Sequence, residues 1–262
     1  MAFFMTINGQ RVEATEGDTI LAAARRAGIH IPTLCHHEAV KASGTCRLCR
    51  VEVSKPSGWK GLLTACVYPS AEGFVIETDN ERVFAARREV LDTLLARCPN
   101  SIVIQKLARE YGINEPSAPL RNNPDDCILC TTCVRVCKTV ATASIAVVKR
   151  GDDKVIGTAD GEPPRDCIGC AACANVCPTH NIKVDENGTT RTVWGREFEL
   201  LRCATSGETL PITKDQSEFL TKHKALDPSY FATSPKTNRE KTAATLGRIA
   251  RWNKLGMQME VK

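Results

Sequence analysis

An α+β architecture assembled from small modules is what this 262-residue sequence predicts. Three observations carry that expectation. Period-two strand patterns and a hairpin signal open the chain, a 3.6-residue apolar period replaces them from Glu81, and a cysteine pattern repeats 40 residues apart, from Cys127 to Cys167, in the second half. The length suits two or three small cores and is too short for a large multi-domain enzyme.

Residues 2–8 (AFFMTIN) are expected to form a strand, Asn8-Gly9 is a two-residue hairpin signal, and Val12 falls on the return strand. Asp18 is placed to cap a helix from Thr19 to Ala27, which carries Ile20, Leu21, Ala24 and Ala27 on one stripe and stops at Gly28. Further strands are expected at 48–54, 62–66 and 74–77, with Pro56, Gly58 and Gly61 marking the turn between the first two. Hairpin, helix and a loop opening on Cys35 are the order of a β-grasp domain, assigned to residues 1–80.

From Glu81, the residues Val83, Phe84, Val90, Leu91, Leu94 and Leu95 form a helical face that ends before Pro99. A second helix is expected from about Ser101 to Tyr111, capped by Gly112, and the Pro- and Asn-rich stretch 113–124 is a linker, so 81–124 forms a helical connector. Residues 125–190 hold the cysteine repeat, with strand pieces at 144–149 and 154–156 around the turn Gly151-Asp152-Asp153. Residues 191–262 are expected to be an irregular extension for docking. It contains a short apolar stretch at 198–201 and a basic amphipathic helix from about Asn238 to Leu255, with Arg239, Lys241, Arg248, Arg251 and Lys254 on its polar side.

Composition narrows the function classes. The net charge of +5 is a mild excess spread along the chain, unlike the dense basic footprint of a nucleic-acid-binding domain, so no nucleic-acid partner is expected. No run of about 18 apolar residues occurs, and Met1–Gly9 is too short and too uncharged for a signal peptide, which points to a cytoplasmic protein without direct membrane insertion. The fourteen cysteines fall mostly in tight repeats, the mark of metal ligands in a reducing compartment rather than of disulfides.

The strongest motif is Cys127-x2-Cys130-x2-Cys133-x3-Cys137, repeated as Cys167-x2-Cys170-x2-Cys173-x3-Cys177-Pro178. Two-residue gaps wrap three thiolates round one side of a 4Fe-4S cluster, and the fourth ligand comes from the other run. The crossed pattern of two-cluster ferredoxins assigns one cluster to Cys127, Cys130, Cys133 and Cys177, and the other to Cys167, Cys170, Cys173 and Cys137. Paired zinc knuckles, the alternative, place a long spacer between two Cys-x2-Cys units instead of three ligands at consecutive gaps. The second motif is Cys35-x10-Cys46-x2-Cys49-x16-Cys66, in the place where a β-grasp domain presents a 2Fe-2S loop, with Ser43-Gly44-Thr45 allowing close backbone approach. His36 and His37 follow Cys35 as candidate hydrogen-bond donors or replacement ligands, and His180 follows Cys177 closely as a surface or supporting residue.

On the strength of Cys35, Cys46, Cys49 and Cys66 followed by the double run 127–177, residues 1–200 resemble three related proteins. These are the amino-terminal iron–sulfur region of the large peripheral-arm subunit of respiratory complex I, the diaphorase small subunit of NAD-linked nickel–iron hydrogenases, and the front end of multimeric, electron-bifurcating hydrogenases. The resemblance implies a β-grasp domain, a helical connector and a two-cluster ferredoxin domain, holding one 2Fe-2S and two 4Fe-4S clusters. It also implies partners: a flavin-containing NAD(P)H dehydrogenase subunit, and a catalytic subunit that is a hydrogenase or a formate dehydrogenase. The chain is then a relay with no catalytic residue of its own. An enzyme with an open-coordination cluster and a zinc-binding interaction module are the competing classes.

Two departures stand out. Members of that family commonly carry His-x3-Cys-x2-Cys-x5-Cys in the connector, where residues 94–112 offer only Cys98, so that extra cluster is expected to be missing and Cys98 to be a core thiol. In the tail, Cys203-x2-Ser206 and Ser234-x2-Thr237 have the outline of a paired-knuckle metal site with three of its ligands gone, and no metal is expected there.

Overall fold

The computed structural model describes residues 1–120 and 125–254. The chain divides into two compact units: Met1–Pro164 with Ala172–Lys183, and Arg165–Ala171 with Val184–Lys262.

The first unit opens with β1 (Ala2–Ile7) and β2 (Gln10–Thr15), antiparallel around Asn8 and Gly9, both at positive φ as a tight hairpin requires. Helix α1 (Ile20–Arg26) follows. Its cap is Thr19, whose Oγ1 accepts from the Ala22 amide at 3.2 Å, rather than the expected Asp18. Asp18 is held elsewhere: its carboxylate accepts from the Thr15 amide and hydroxyl and pairs with Arg26. Strands β3 (Arg50–Ser54), β4 (Lys60–Thr64) and β5 (Val75–Glu77) complete a five-stranded sheet of order β2-β1-β5-β3-β4, in which β5 runs parallel to β1. Gly61 belongs to β4, paired with Val53, and not to the turn. A Cβ there would meet the Trp59 ring at 2.6 Å, so a side chain at this position would displace that exposed ring. Met5, Ile7, Val12, Ala14, Val51, Val53 and Ile76 from the sheet bury against Ile20, Leu21 and Ala24 of α1, the grasp that the hairpin–helix order predicted.

The connector is α2 (Glu81–Arg97) and α3 (Ile102–Glu110). Asn80 caps α2, accepting from the Val83 amide at 2.9 Å. Phe84, expected on the buried face, is exposed and stacks on Tyr111 with ring centroids 4.8 Å apart. The stripe that does bury is Val83, Ala86, Leu91, Leu94 and Leu95, together with Arg87, whose guanidinium donates to the Arg50 carbonyl at 2.7 Å. The expected linker is docked over its first part: Ile113 is buried, and the Ser117 amide donates to Asp92 at 2.9 Å. Residues 121–124 of that stretch lie outside the described residues. Helix α4 (Thr132–Val140), the antiparallel pair β6 (Ala146–Val148) and β7 (Val155–Gly157), and the short α5 (Ala172–Asn175), packed on α4, complete this unit.

The second unit corrects the expectation of an irregular extension. It holds a four-stranded antiparallel sheet of order β11-β10-β9-β8, from β8 (Val184–Glu186), β9 (Thr190–Val193), β10 (Arg196–Arg202) and β11 (Thr209–Thr213). Val193, Phe198, Leu200 and Leu210 are its buried apolar residues. The buried Arg191 side chain takes Glu186 at 2.7 Å and the Gly169 carbonyl at 2.9 Å. Helix α6 (Lys214–Lys224) starts at the Thr213 cap, and α7 (Pro235–Lys254) begins three residues before the expected Asn238. Leu255 and the side chains of Arg251 and Lys254 lie outside the described residues. Among the described residues, no helix is long and apolar enough to cross a membrane.

Candidate metal-cluster sites

Cys35, Cys46, Cys49 and Cys66 come together at one end of the grasp sheet, all buried. The first two lie in the loop between α1 and β3, Cys49 precedes β3, and Cys66 follows β4, tied in by the Ala65 amide donating to the Cys49 carbonyl at 3.0 Å. The Cys46 amide points at Cys35 Sγ, 3.4 Å away. Gly44 and Arg47 on either side of Cys46 are both left-handed, the local conformation that turns successive amides toward one concavity. At Gly44 a Cβ would come within 3.2 Å of Val67, and its positive φ disfavours a side chain in any case.

The electrostatics report how closely these thiols are grouped. Hydrogen bonds from Cys46 and then from Cys66 hold the Cys35 thiol far below the ordinary range, while Cys46 and Cys66 are pushed up by donating to it. Cys49 is lowered by its contact with Cys66. Four thiols hydrogen-bonded among themselves titrate as a set, and thiolates are the form that binds metal. Among the described residues no three Cys, His, Asp or Glu side chains are grouped as the ligands of one metal ion. A dinuclear core instead takes two thiolates at each iron, so it does not require three of them to close on one point.

The histidines are engaged elsewhere. His36 Nδ1 lies 3.2 Å from Arg25, and His37 Nδ1 accepts from the Ala39 amide at 3.1 Å. His180 is exposed.

The double cysteine run repeats in backbone as well as in sequence. Leu129 and Thr131, flanking Cys130, have φ of 53° and 60°; Gly169 and Ala171, flanking Cys170, have 67° and 55°. Non-glycine residues rarely adopt this conformation, and three of these four positions do so in matching places. The strain has a use, since the alternation exposes amide groups to the interior of the loop, and the Leu129 amide points at Cys127 Sγ, 3.4 Å away. Gly169 also could not carry a side chain, because a Cβ would sit 2.6 Å from the Phe198 ring. In the first unit, α4 presents Cys133 and Cys137, and α5 with the turn after it presents Cys173 and Cys177. Burial raises Cys127 to about 11 and Cys133 to about 12, and it also raises Cys130, which senses the negative charge of Cys177 and Cys35. A buried donor, Arg135 Nε, has no protein partner beside this loop.

The connector motif of the resembling family, laid on Cys98, falls on Leu94, Cys98, Ser101 and Leu107. All four belong to a packed interior. Leu94 and Cys98 are buried with Leu91, Ile104 and Cys130, Leu107 packs against that cluster, and the Ser101 hydroxyl is buried without a partner. Burial raises the Cys98 thiol to about 12. In the second unit, Cys203, Ser206, Ser234 and Thr237 meet, as their spacing suggested. Cys203 Sγ lies 3.5 Å from Thr237 Oγ1 and accepts from the Ser234 amide at 3.4 Å, and the Ser234 and Thr237 hydroxyls are 3.0 Å apart. The Ser206 hydroxyl, then that of Thr237 and the nearby amides, lower the Cys203 thiol to about 6. Sequence reasoning missed Thr132 and Arg135 on α4, which bond to the Cys35 carbonyl; no local spacing signals a contact across 97 to 100 residues.

Residues 2–81 match the family described as 2Fe-2S iron-sulfur cluster binding domain. The chain is 34% identical over 181 residues to the NADP-reducing hydrogenase subunit HndD of Solidesulfovibrio fructosivorans, covering 59% of this chain and 31% of that one. It is 32% identical over 180 residues to the 78 kDa subunit of mitochondrial NADH-ubiquinone oxidoreductase from Candida albicans, 59% of this chain and 25% of the relative. A solved NAD+-reducing [NiFe]-hydrogenase in its H2-reduced state contains a similar chain, with TM-score 0.58 and 26% identity over 68% of this chain and 86% of that one. The resemblance drawn from the cysteine pattern is thus shown, and the chain spans about a fifth to a third of the curated relatives it matches.

Proposed function

We propose that the chain is an electron-relay subunit, with a 2Fe-2S centre on Cys35, Cys46, Cys49 and Cys66 and two 4Fe-4S centres, one on Cys127, Cys130, Cys133 and Cys177, the other on Cys167, Cys170, Cys173 and Cys137. The observation that carries this reading is the convergence of four buried thiols within the part of the chain that matches a 2Fe-2S domain. The second 4Fe-4S assignment is taken from the sequence repeat and its matching backbone conformations. When bound, such centres supply one-electron exchange. The protein's part is to hold thiolates, to aim amides at them from left-handed residues, and to keep water away from Cys35, Cys46 and Cys130 by burying them with Leu34, Leu48 and Leu91.

No connector cluster belongs to this reading, because leucines stand at two of the four ligand positions. The partners that fit are a flavin-bearing NAD(P)H-oxidising subunit on one side and a hydrogenase catalytic subunit on the other, by analogy with the named relatives. A formate dehydrogenase subunit is the alternative acceptor or donor. Anaerobic purification followed by iron, sulfide and EPR analysis tests the relay: about ten irons per chain are expected from two cubanes and one dinuclear centre. A colourless chain that reconstitutes with zinc and not with iron overturns it. Identification of the co-purifying subunits decides between hydrogenase and formate dehydrogenase.

A further inference from the structure

Two side chains of α4 reach from the Cys130 loop to the backbone of Cys35. Thr132, 1% exposed, has its hydroxyl 3.4 Å from the Cys35 carbonyl and 3.4 Å from Cys130 Sγ. Arg135 Nη2 donates to the Cys35 carbonyl at 3.0 Å, to Thr132 Oγ1 at 2.9 Å and to the Cys130 carbonyl at 3.4 Å, while Nη1 donates to the Lys41 carbonyl. Cys35, Cys46 and Cys130 also share one apolar cluster, the same cluster that takes in Leu94 and Cys98 of the vacated connector motif.

We propose that Thr132 and Arg135 form a polar bridge that couples the Cys35 centre to the Cys130 centre and sets their relative potentials. The inference rests on the cluster assignments above and adds the residues through which the two sites communicate. Its physical basis is a shortage of protons. A threonine hydroxyl has one, and with Arg135 donating to its oxygen, that proton goes either to the Cys35 carbonyl or to Cys130 Sγ. With a centre bound, greater negative charge on Cys130 Sγ would favour the hydroxyl orientation toward the sulfur, and less would favour the one toward the Cys35 carbonyl; the hydroxyl keeps its proton in both. The guanidinium is a fixed positive charge in contact with both loops, so it favours the reduced form of each. Thr132 itself is buried, where a hydrogen bond to sulfur counts for more.

The test uses the full chain, purified anaerobically, as wild type, Thr132→Val, Thr132→Ser and Arg135→Gln. Iron and sulfide content with EPR of the reduced protein report occupancy, and dipolar broadening between the two centres reports their geometry. EPR-monitored titration gives the midpoint potentials, and equilibration after a photochemical one-electron pulse gives the internal transfer rate. Thr132→Val is expected to keep its iron and its broadening, to shift the Cys130-side midpoint to more negative potential and to slow equilibration. Thr132→Ser is expected to restore both, and Arg135→Gln to shift both midpoints negative. If Thr132→Val loses iron, Arg135→Gln decides by the same readouts. Wild-type midpoints and rate in an iron-replete variant overturn the bridge; absence of either centre's signal from the wild-type protein overturns the cluster assignment on which it rests.

Discussion

Introducing three cysteines into the second unit, as Ser206→Cys, Ser234→Cys and Thr237→Cys together, is expected to create a tetrahedral zinc site with Cys203. The geometry sets the expectation. A zinc–sulfur bond of about 2.3 Å puts neighbouring sulfurs of a tetrahedron about 3.8 Å apart. The present separations, 3.5 Å from Cys203 Sγ to Thr237 Oγ1 and 3.0 Å between the Ser234 and Thr237 oxygens, are near that edge. The fourth position, Ser206, already bonds the Cys203 sulfur. With free zinc held at about a thousand times the dissociation constant, linkage adds roughly 4 kcal/mol to the stability of the folded state, a factor of about a thousand in the opening equilibrium. The assay is amide hydrogen exchange at β10 and β11 with and without zinc, on protein whose iron is in place, alongside the zinc stoichiometry. The triple variant should take one more zinc per chain than wild type and slow exchange at Leu200 and Thr213 accordingly. A folded triple variant that takes no more zinc than wild type refutes the reasoning, because it would mean the four positions are close without sharing a centre.

Other outcomes follow from individual environments. Cys98→Ala should cost roughly 1–2 kcal/mol, the loss of a sulfur from a closed core, and leave the iron content unchanged; iron quantification beside thermal unfolding checks both halves. Ser101 occupies the N-cap of α3 without making the cap bond and leaves its hydroxyl buried and unpartnered, so Ser101→Ala should be neutral or stabilising by about 1 kcal/mol in denaturant titrations. Glu52 is held below the usual carboxylate range by Lys60 and then by Arg82 and Asn80. A depressed folded-state pKa means that its contribution is present above the unfolded value of about 4.3 and is lost as pH falls through the folded value; Glu52→Gln should flatten this part of the acid limb of stability. Cys203, lowered to about 6, follows the same sign over a higher window, so exchange protection in β10 should fall as pH drops from 9 to 6, and Cys203→Ser should remove that slope.

What was legible in the sequence was whatever depends on near neighbours. Asn8-Gly9, the α1 stripe, the stop at Gly28 and the cysteine gaps are short-range codes, and the sheet of the first unit follows from them. Asp18 and Phe84 show where such codes fail. Both are acceptable locally, and a partner outside the window settles each: Arg26 takes Asp18 from the cap, and Tyr111 gives Phe84 a ring to stack on outside the buried stripe. Strands β8 to β11 were missed for a different reason. They are three to seven residues long and interleaved with charge, and Arg191 is buried in the second unit with its bonds satisfied by Glu186 and the Gly169 carbonyl, so the pattern of apolar residues is too sparse to declare a sheet.

The two places that resemble emptied metal sites have been filled by opposite means, and burial alone does not explain the difference. At Leu94, Cys98, Ser101 and Leu107 the surrounding wall is apolar, from Leu91, Ile104 and Ile113, so branched side chains occupy the volume and the one remaining hydroxyl is left without a partner. At Cys203 the wall is made of turns whose amides already point inward, toward a position where sulfur or a metal-bound thiolate would accept them. An apolar residue in place of Cys203 would leave the Ser234 amide without its acceptor, and one in place of Ser234 would do the same to the Thr237 amide, at a cost of about 1–3 kcal/mol each. Cys203 Sγ accepts the Ser234 amide and the Ser234 hydroxyl accepts the Thr237 amide, so the turns around Cys203 demand acceptors, while the helical backbone of α2 and α3 bonds to itself and makes no such demand.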